Sequence, residues 1–465
     1  MQQLLKKHSH ALIIICLFMA MAFSLCPRYS INNDEFYTMI WGRLSWPDYV
    51  HELIHDTSPF LYYLMMWPVH KLTGGSLMGA RLFSLLALLV MLIIGSSFVK
   101  KHFGLKAMYF YSFIIYLTPF MLQKSTEARM YGWATVFTLF SGVLSYYLLT
   151  APTKKTWILF TVTSLLGAYT QYYVVLTMIF LYVGILVFYI FKRDKKQIIN
   201  CLICYAVTVL TYLPWLFVAA FQINESNGSW IAAPSSKLGT LKELFYSSIP
   251  GSELFYLLLI FLMTLYAFIK FIQSKDTHYY WVCVCCSALW GIYLLCTMWG
   301  IFVKPIMLSR YLIMPVCLLF LAISSCMKDF HKIIVIILCT VIAIIGLVHY
   351  QSSLSANLND TTKLTHGFTN QQIKAGDAVI VVNEFDDDFL CMCVEYFVPH
   401  AERIYVGEFN SELFSAYSGY DTYWFFDQGS SFDSQIISSA GKKSEEYGTF
   451  YYRHLAFDVY KITTN

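Results

Sequence analysis

The sequence predicts a mainly α-helical membrane bundle of about eleven spans, followed by a small α/β domain outside the membrane. Three observations lead there. Only 13% of the 465 residues are charged and 58% are hydrophobic, whereas a soluble domain carries about a quarter charged residues. Apolar runs near membrane-crossing length recur through the first 350 residues,. Beyond that point the runs stop and the charge reverses. Residues 1–350 carry a net +13 and residues 351–465 a net −9, together the +4 of the whole chain.

The first apolar run, 11–26, follows Lys6 and Lys7 as a signal peptide would. Ser24-Leu25-Cys26-Pro27 is a poor cleavage site, so the run reads as a retained anchor,. The expected spans are roughly 10–26, 78–98, 106–122, 130–149, 156–170, 174–191, 198–220, 253–272, 279–301, 306–326 and 332–350,. Tyr169 to Tyr173 reads as an interfacial turn that separates the fifth and sixth. With the N-terminus cytoplasmic, fifteen of the twenty-five basic residues before residue 351 fall in inner loops. Nine of the twelve acids fall on the other side. The positive-inside rule is met, and an odd number of spans sets the C-terminal region outside. That region alternates strand-like runs (378–382, 403–406, 422–426, 450–452, 456–462) with helix-like ones (389–397, 432–440),. The domains are therefore expected at 1–350 and 351–465. Most of the thirteen cysteines sit in apolar runs as small hydrophobes, not in a disulfide framework,. Nothing in the chain carries a nucleic-acid signature, a phosphate-binding glycine loop or an internal repeat.

The first outer loop, about 27–77, is long and mixed in character. It opens on Asp34-Glu35. Trp41, Trp46, Tyr49 and Trp67 then alternate with Asp48, Glu52, His55 and Asp56, as in a helix lying in the membrane interface,. Loops of this length are usually functional. Two adjacent carboxylates repel, and burial would raise the pKa of at least one, giving a general base at a water–lipid boundary. The plainer reading is that Asp34 is the N-cap of a helix over 36–44. At Asp56-Thr57-Ser58-Pro59 a turn is the plainer reading, and for His55 an interfacial side chain. Lys124, Arg129, Lys304 and Arg310 lie at outer ends of spans. Snorkelling suffices for Lys124 and Lys304, whereas Arg129, flanked by Glu127 and Tyr131, and Arg310, beside Tyr311, read as site residues. Asp386-Asp387-Asp388 reads as a solvated turn rather than a metal site.

Taken in order, these motifs resemble the polytopic GT-C glycosyltransferases, over about the first 350 residues. The likeness is greatest to the branch holding protein O-mannosyltransferases and the bacterial lipid A aminoarabinose transferase. The pattern consists of Asp34-Glu35 opening the first outer loop and Asp56-Thr57-Ser58-Pro59-Phe60-Leu61-Tyr62-Tyr63. It continues with Arg81 in "GARLFS", Ser125 to Tyr131 with Glu127, Arg129 and Tyr131, the run Tyr212 to Leu216 before Gln222 and Trp230, and Arg310-Tyr311. The family's second segment carries a His and another Pro that this chain lacks.

The resemblance implies an inverting transfer of a sugar from a polyprenyl-phosphate donor to an extracytoplasmic acceptor hydroxyl on a glycan, lipid or protein. Asp34 and Glu35 would be catalytic, with Asp34 the base. Asp56, His55, Arg81, Glu127, Arg129, Tyr131, Arg310 and Tyr311 would bind substrate. The donor's phosphate would need fixed cations, and membrane lipid would surround the protein, which is expected in a bacterial plasma (inner) membrane. No cofactor is firmly implied. Carboxylates could recruit a divalent cation, but no ligand spacing specifies one. The alternative is a polytopic transporter or lipid flippase with an outer accessory domain. That reading would favour polar groups at mid-membrane and repeated, broken helices.

Overall fold

The protein is described by a computed structural model covering residues 2–28, 30–225, 239–382, 388–427, 432–452 and 455–464. Trp230, Asp386 and Asp387 lie outside the described residues. The chain forms two compact units. One comprises Met1–Cys26 with Leu44–Ser353, and the other Pro27–Arg43 with Leu354–Asn465.

Helix α1 (Gln2–Leu25) opens the first unit, and α2 (Asn33–Trp41) belongs to the second. The first unit resumes with two short helices, α3 (Trp46–His55) and α4 (Leu61–Thr73). Then come α5 (Leu77–Phe103), α6 (Leu105–Leu117), α7 (Pro119–Ser125), α8 (Tyr131–Thr150) and α9 (Lys154–Ala168). They are followed by α10 (Tyr172–Lys192), α11 (Lys195–Glu225), α12 (Gly239–Glu243), α13 (Ser252–Ser274) and α14 (Thr277–Phe302). A 3-10 turn (Ser309–Leu312) leads into α15 (Ile313–Ser325), and α16 (Lys332–Leu358) closes the bundle.

A helix stands at each of the eleven expected positions. Among the described residues, eight spans are long and apolar enough to cross a membrane, or nine if α6 and α7 count together. The described apolar part of α1, Leu12–Leu25, and the fifteen-residue α9 are shorter. The third expected span is bent by 65° between α6 and α7. Pro119 causes the break: a residue before proline is pushed out of the helical region, and Thr118 sits at φ −68°, ψ 122°. Every residue of α15 is buried, which makes it the axis of the bundle. Gly346 on α16 meets α6 so closely that a Cβ would lie 2.5 Å from the Leu117 carbonyl.

The basic loops gather at one end of this unit. Lys106 Nζ, at the start of α6, donates to the carbonyls of Lys328 (3.1 Å) and Phe330 (2.6 Å) between α15 and α16. Lys328 also lies over the rings of Phe103 and Tyr279. These lysines cap carbonyls and aromatic faces that helix ends leave open.

The second unit is built on a five-stranded sheet. After α17 (Thr362–Gln372) come β1 (Ala378–Val382), α18 (Asp388–Phe397), β2 (Glu402–Val406), α19 (Glu412–Ala416), β3 (Thr422–Asp427), α20 (Ser434–Ser439), β4 (Lys442–Tyr452) and β5 (Leu455–Thr464). The strand order is β2-β1-β3-β5-β4. The pairs β1–β2 and β1–β3 are parallel, and β3–β5 and β5–β4 antiparallel. Parallel strands are apolar on both faces because helical crossovers cover both. Ala378, Ile380, Tyr423 and Phe425 fill one core, while Val379, Val381, Trp424 and Phe426 are buried on the opposite face.

Helix α2 packs within this second unit. Phe36 stands edge-on to Tyr396 (5.5 Å between ring centres) and tilted against Tyr452 (5.7 Å). The Arg43 guanidinium donates to the carbonyls of Glu395 (3.0 Å) and Tyr396 (3.2 Å) near the C-terminus of α18, where unpaired carbonyls favour a cation. Asp360 Oδ2 accepts the Ser30 N–H at 2.8 Å, and the Tyr452 hydroxyl donates to the Ile31 carbonyl.

Candidate active site

Two groups of the expected site residues are resolved, one in each unit. In the first, α3 carries the loop to Asp56. The two carbonyls before His55 are held from a distant helix. Gln222 Nε2 on α11 donates to Leu53 O at 3.3 Å and Ile54 O at 3.0 Å. Its Oε1 accepts from the Tyr172 hydroxyl at 2.6 Å, and Trp215 Nε1 donates to that hydroxyl at 3.2 Å. Beyond Asp56, Pro59 breaks the helical path. The Leu61 N–H then donates to Tyr169 O at 2.9 Å, and Phe60 packs against Tyr169 and Trp215. Asp56 thus lies on a strap pinned on both sides.

The strap places Asp56 beside Tyr63 of α4 and Arg129 of the turn that follows α7. The Tyr63 hydroxyl donates to Asp56 Oδ2 at 3.2 Å and accepts from Arg129 Nη1 at 2.8 Å. Tyr49 donates to the Tyr63 carbonyl at 2.8 Å and fixes the start of α4. Asp56 keeps partial exposure, yet protein surrounds it closely enough that burial raises its pKa. Arg129 and bonds from Thr57, Tyr63 and Ser58 oppose that rise without cancelling it. Burial also pushes the Tyr63 phenol up, again against Arg129. A carboxyl, a phenol and a guanidinium are joined into one chain that can hold a phosphate or sugar oxygen and share its charge.

The turn after α7 supplies Arg129 and neutralises its neighbour. Glu127 is buried, and Lys124 Nζ binds both its oxygens, at 3.0 and 2.8 Å. Lys124, expected to snorkel, is instead a buried ion-pair partner. An unpaired Glu127 would be costly there, and three residues' separation puts the two side chains together. Lys124 also lies over the Tyr131 ring.

Other expected residues fall elsewhere. Arg81 is buried on α5 and donates from Nη1 to the Cys26 carbonyl at 3.0 Å. His55 is exposed; its Nδ1 meets His51 O at 2.8 Å and its ring stacks on His51. Arg310 lies over the Tyr311 ring, which packs against Tyr173, while the Tyr173 hydroxyl donates to Ile306 O at 2.7 Å. Tyr63 carries a larger part than the sequence reading gave it. Its signal was present in the paired Tyr62-Tyr63 that follows Pro59.

The second group is Asp34-Glu35 on α2. The N-cap position belongs to Asn32, not to Asp34. Glu35, at the third helical position, accepts the Asn32 N–H at 2.9 Å, the reciprocal bond of a capping box,. It is fully buried, with the Arg28 guanidinium 3.8 Å away. Asp34 sits between them in sequence, half-buried in the first turn. The expected helix over 36–44 therefore begins three residues earlier, because Asn32 and Glu35 start it.

No known family's sequence profile matches the chain, and no curated protein does. Solved structures do match. ArnT from Cupriavidus metallidurans in the apo state gives a TM-score of 0.64 at 10% identity, over 98% of each chain. The same protein bound to undecaprenyl phosphate gives 0.62 at 10% identity, again over 98% of each. The chain folds like ArnT. The Archaeoglobus fulgidus oligosaccharyltransferase, in complex with Zn and sulfate, matches at a TM-score of 0.50 and 10% identity, over 89% of this chain and 67% of that one. The ArnT-like fold extends through both compact units. Within it, α9, α10 and α11 enclose a largely apolar groove of about 240 Å³, lined by Ala168, Met178, Tyr182, Tyr205 and Tyr212 among others. Ala168 and Tyr212 also belong to the cluster that packs on Phe60, four residues past Asp56. Among the described residues no three His, Cys, Asp or Glu side chains gather as a metal site would require.

Proposed function

We propose that the chain is a membrane glycosyltransferase that moves a sugar from a polyprenyl-phosphate donor to an acceptor hydroxyl outside the cytoplasm. The observation that carries this reading is the ArnT-like fold over 98% of the chain, together with an arginine held beside a half-buried carboxyl at the end of the bundle opposite the basic loops. ArnT itself has been seen with undecaprenyl phosphate, and the apolar groove on α9–α11 is suited to an isoprenoid chain. In this reading the protein lies in a bacterial plasma membrane, with the N-terminus inside and residues 351–465 outside.

The chemistry would run by inversion. The acceptor oxygen attacks the anomeric carbon while the bond from that carbon to the phosphate oxygen breaks. Polyprenyl phosphate leaves with the electron pair, and the acceptor's proton passes to Asp34. Arg129, and separately Arg310, would stabilise the departing phosphate. Glu35 is engaged as a cap, which leaves Asp34 as the acid of the pair suited to take a proton.

The test is transfer of labelled sugar from polyprenyl-phosphate donors in isolated membranes. The expected result is transfer that requires the chain. Donor lipid crossing the bilayer without transfer would favour the flippase reading instead. One feature favours that second reading, the α6–α7 bend. The bend, however, lies beside Lys124 and Glu127 at the site end and not in mid-span.

A further inference from the structure

At the basic end of the membrane unit, α9 and α11 enclose a second cavity, of about 420 Å³, whose lining shares no residue with the groove or with the side chains assigned to transfer. Lys154 and Lys196, in the first turns of the two helices, stand at its mouth. Behind them is a polar ledge. Gln197 Oε1 accepts from Trp157 Nε1 at 2.9 Å and from Asn200 Nδ2 at 3.2 Å. Beyond the ledge the wall is apolar, made by Ile158, Ile203 and Cys204. From Lys196 to Cys204 the helix rises about 12 Å. The groove therefore passes from cations, through hydrogen-bonding groups, to hydrocarbon over the depth of a lipid headgroup and its first methylenes.

The local charge is strongly positive. The chain at the starts of α9 and α11 carries Lys154, Lys155, Lys192, Arg193, Lys195 and Lys196 against one acid, Asp194. Asp194 Oδ1 accepts the Gln197 N–H at 3.1 Å and serves as the cap of α11. Both helices also begin here, and each N-terminus adds positive potential. The volume lies within the range of small-molecule sites.

The geometry points to a binding site for an anionic phospholipid of the leaflet at this end, with its phosphate between Lys154 and Lys196 and an acyl chain against Ile158 and Ile203. A free phosphate would use only the mouth, and an uncharged lipid only the wall. Basic pockets between spanning helices are a known mode of headgroup recognition. The site does not depend on the transferase reading.

The experiment uses the full chain, purified in detergent and stripped of lipid. Phosphatidylglycerol and phosphatidylcholine of the same chains are titrated separately, and bound lipid is counted by native mass spectrometry. The parent should retain phosphatidylglycerol in preference. The double variant Lys154→Gln, Lys196→Gln should bind it about 30-fold more weakly, the factor expected for two basic residues near an anionic lipid. Ile203→Trp, which fills the groove and leaves the charge intact, should lose it as well. Lys100→Gln with Lys101→Gln removes equal charge elsewhere at this end and should bind as the parent does. The proposal is overturned if this control loses as much as the Lys154/Lys196 pair. It is also overturned if Ile203→Trp binds like the parent, or if 10 mM inorganic phosphate displaces the lipid completely.

Discussion

Asp34-Glu35 and Asp56 lie in one stretch of sequence, 22 residues apart, yet they fold into different compact units. The adjacent pair is divided by its own helix. Glu35 is buried in a cap beside Arg28, and only Asp34 keeps exposure. Asp56 has no acidic neighbour in the chain. It acquires Tyr63 from seven residues on, and through it Arg129 from 73 residues away. Acids side by side in sequence thus end in unlike roles, while residues far apart become one group. A helix turns successive side chains by 100°, so neighbours face different partners, whereas a pinned strap can bring distant ones together.

The contrast can be broken by substitution, most strongly at the arginine. Arg129→Ala removes the cation that the Asp56–Tyr63 chain holds in place. A charge-assisted bond is worth roughly 1.5–3 kcal/mol, so affinity for polyprenyl phosphate should fall about 10- to 150-fold in a lipid-binding titration, with acceptor absent. Binding equal to the parent's would make Arg129 a purely structural anchor.

A smaller effect separates Glu35 from Asp34. Glu35→Ala removes the reciprocal cap and should cost about 1 kcal/mol of stability, read as a lower melting temperature. Asp34→Asn should melt like the parent, since the cap is Asn32. Equal losses in the two variants would mean that the pair acts as one structural unit.

The gentlest probe is pH, where two carboxyls should behave oppositely. The pKa of Asp56 is raised by burial, so its contribution to stability is full below about 3.8 and is lost as pH rises through its folded value. Replacing it by Asn should raise the melting temperature near neutral pH and change little below pH 4. At Asp360 burial also pushes the pKa up, but bonds from Thr362 and Ser30 outweigh it and the net value is lowered. Its contribution is present above the usual carboxylate pKa and is lost as pH falls. Asp360→Asn should destabilise at neutral pH and have no effect near pH 3. Melting curves across pH 3–8 that moved in the same direction for both variants would refute the assignments.

Much of the fold was legible in the sequence. Hydropathy located a helix at each expected span, because a lipid-facing or core-facing helix must be apolar along its length. Alternation located β1, β2, β3 and β5 of the C-terminal sheet but only the last three residues of β4. The ends of β1 coincide with those expected, and β3 runs one residue further, to Asp427. Two structural facts left no such trace. The packing of α2 with the C-terminal unit rests on Phe36, Arg43 and Ile31 meeting residues more than 300 positions later. A hydropathy window reports that a residue is buried, not what buries it. Helix α17 was missed because Thr362 to Gln372 is polar and weakly patterned. At the site, the i,i+3 spacing of Lys124 and Glu127 could have revealed their pairing. The Tyr63 bridge could not be read from spacing, since it depends on how α4 meets the turn after α7.

The central contrast is most directly tested by single-turnover sugar transfer at saturating donor, comparing Asp34→Asn with Asp56→Asn. Removing a general base usually slows the chemical step by 10²–10⁴-fold. The expected result is a loss of that size for Asp34→Asn with donor binding near the parent's. Asp56→Asn should weaken donor binding and keep the saturated rate within about tenfold of the parent, as for a residue that positions rather than takes the proton. A parental rate in Asp34→Asn together with abolished transfer in Asp56→Asn at saturating donor would contradict the account and move the base to Asp56.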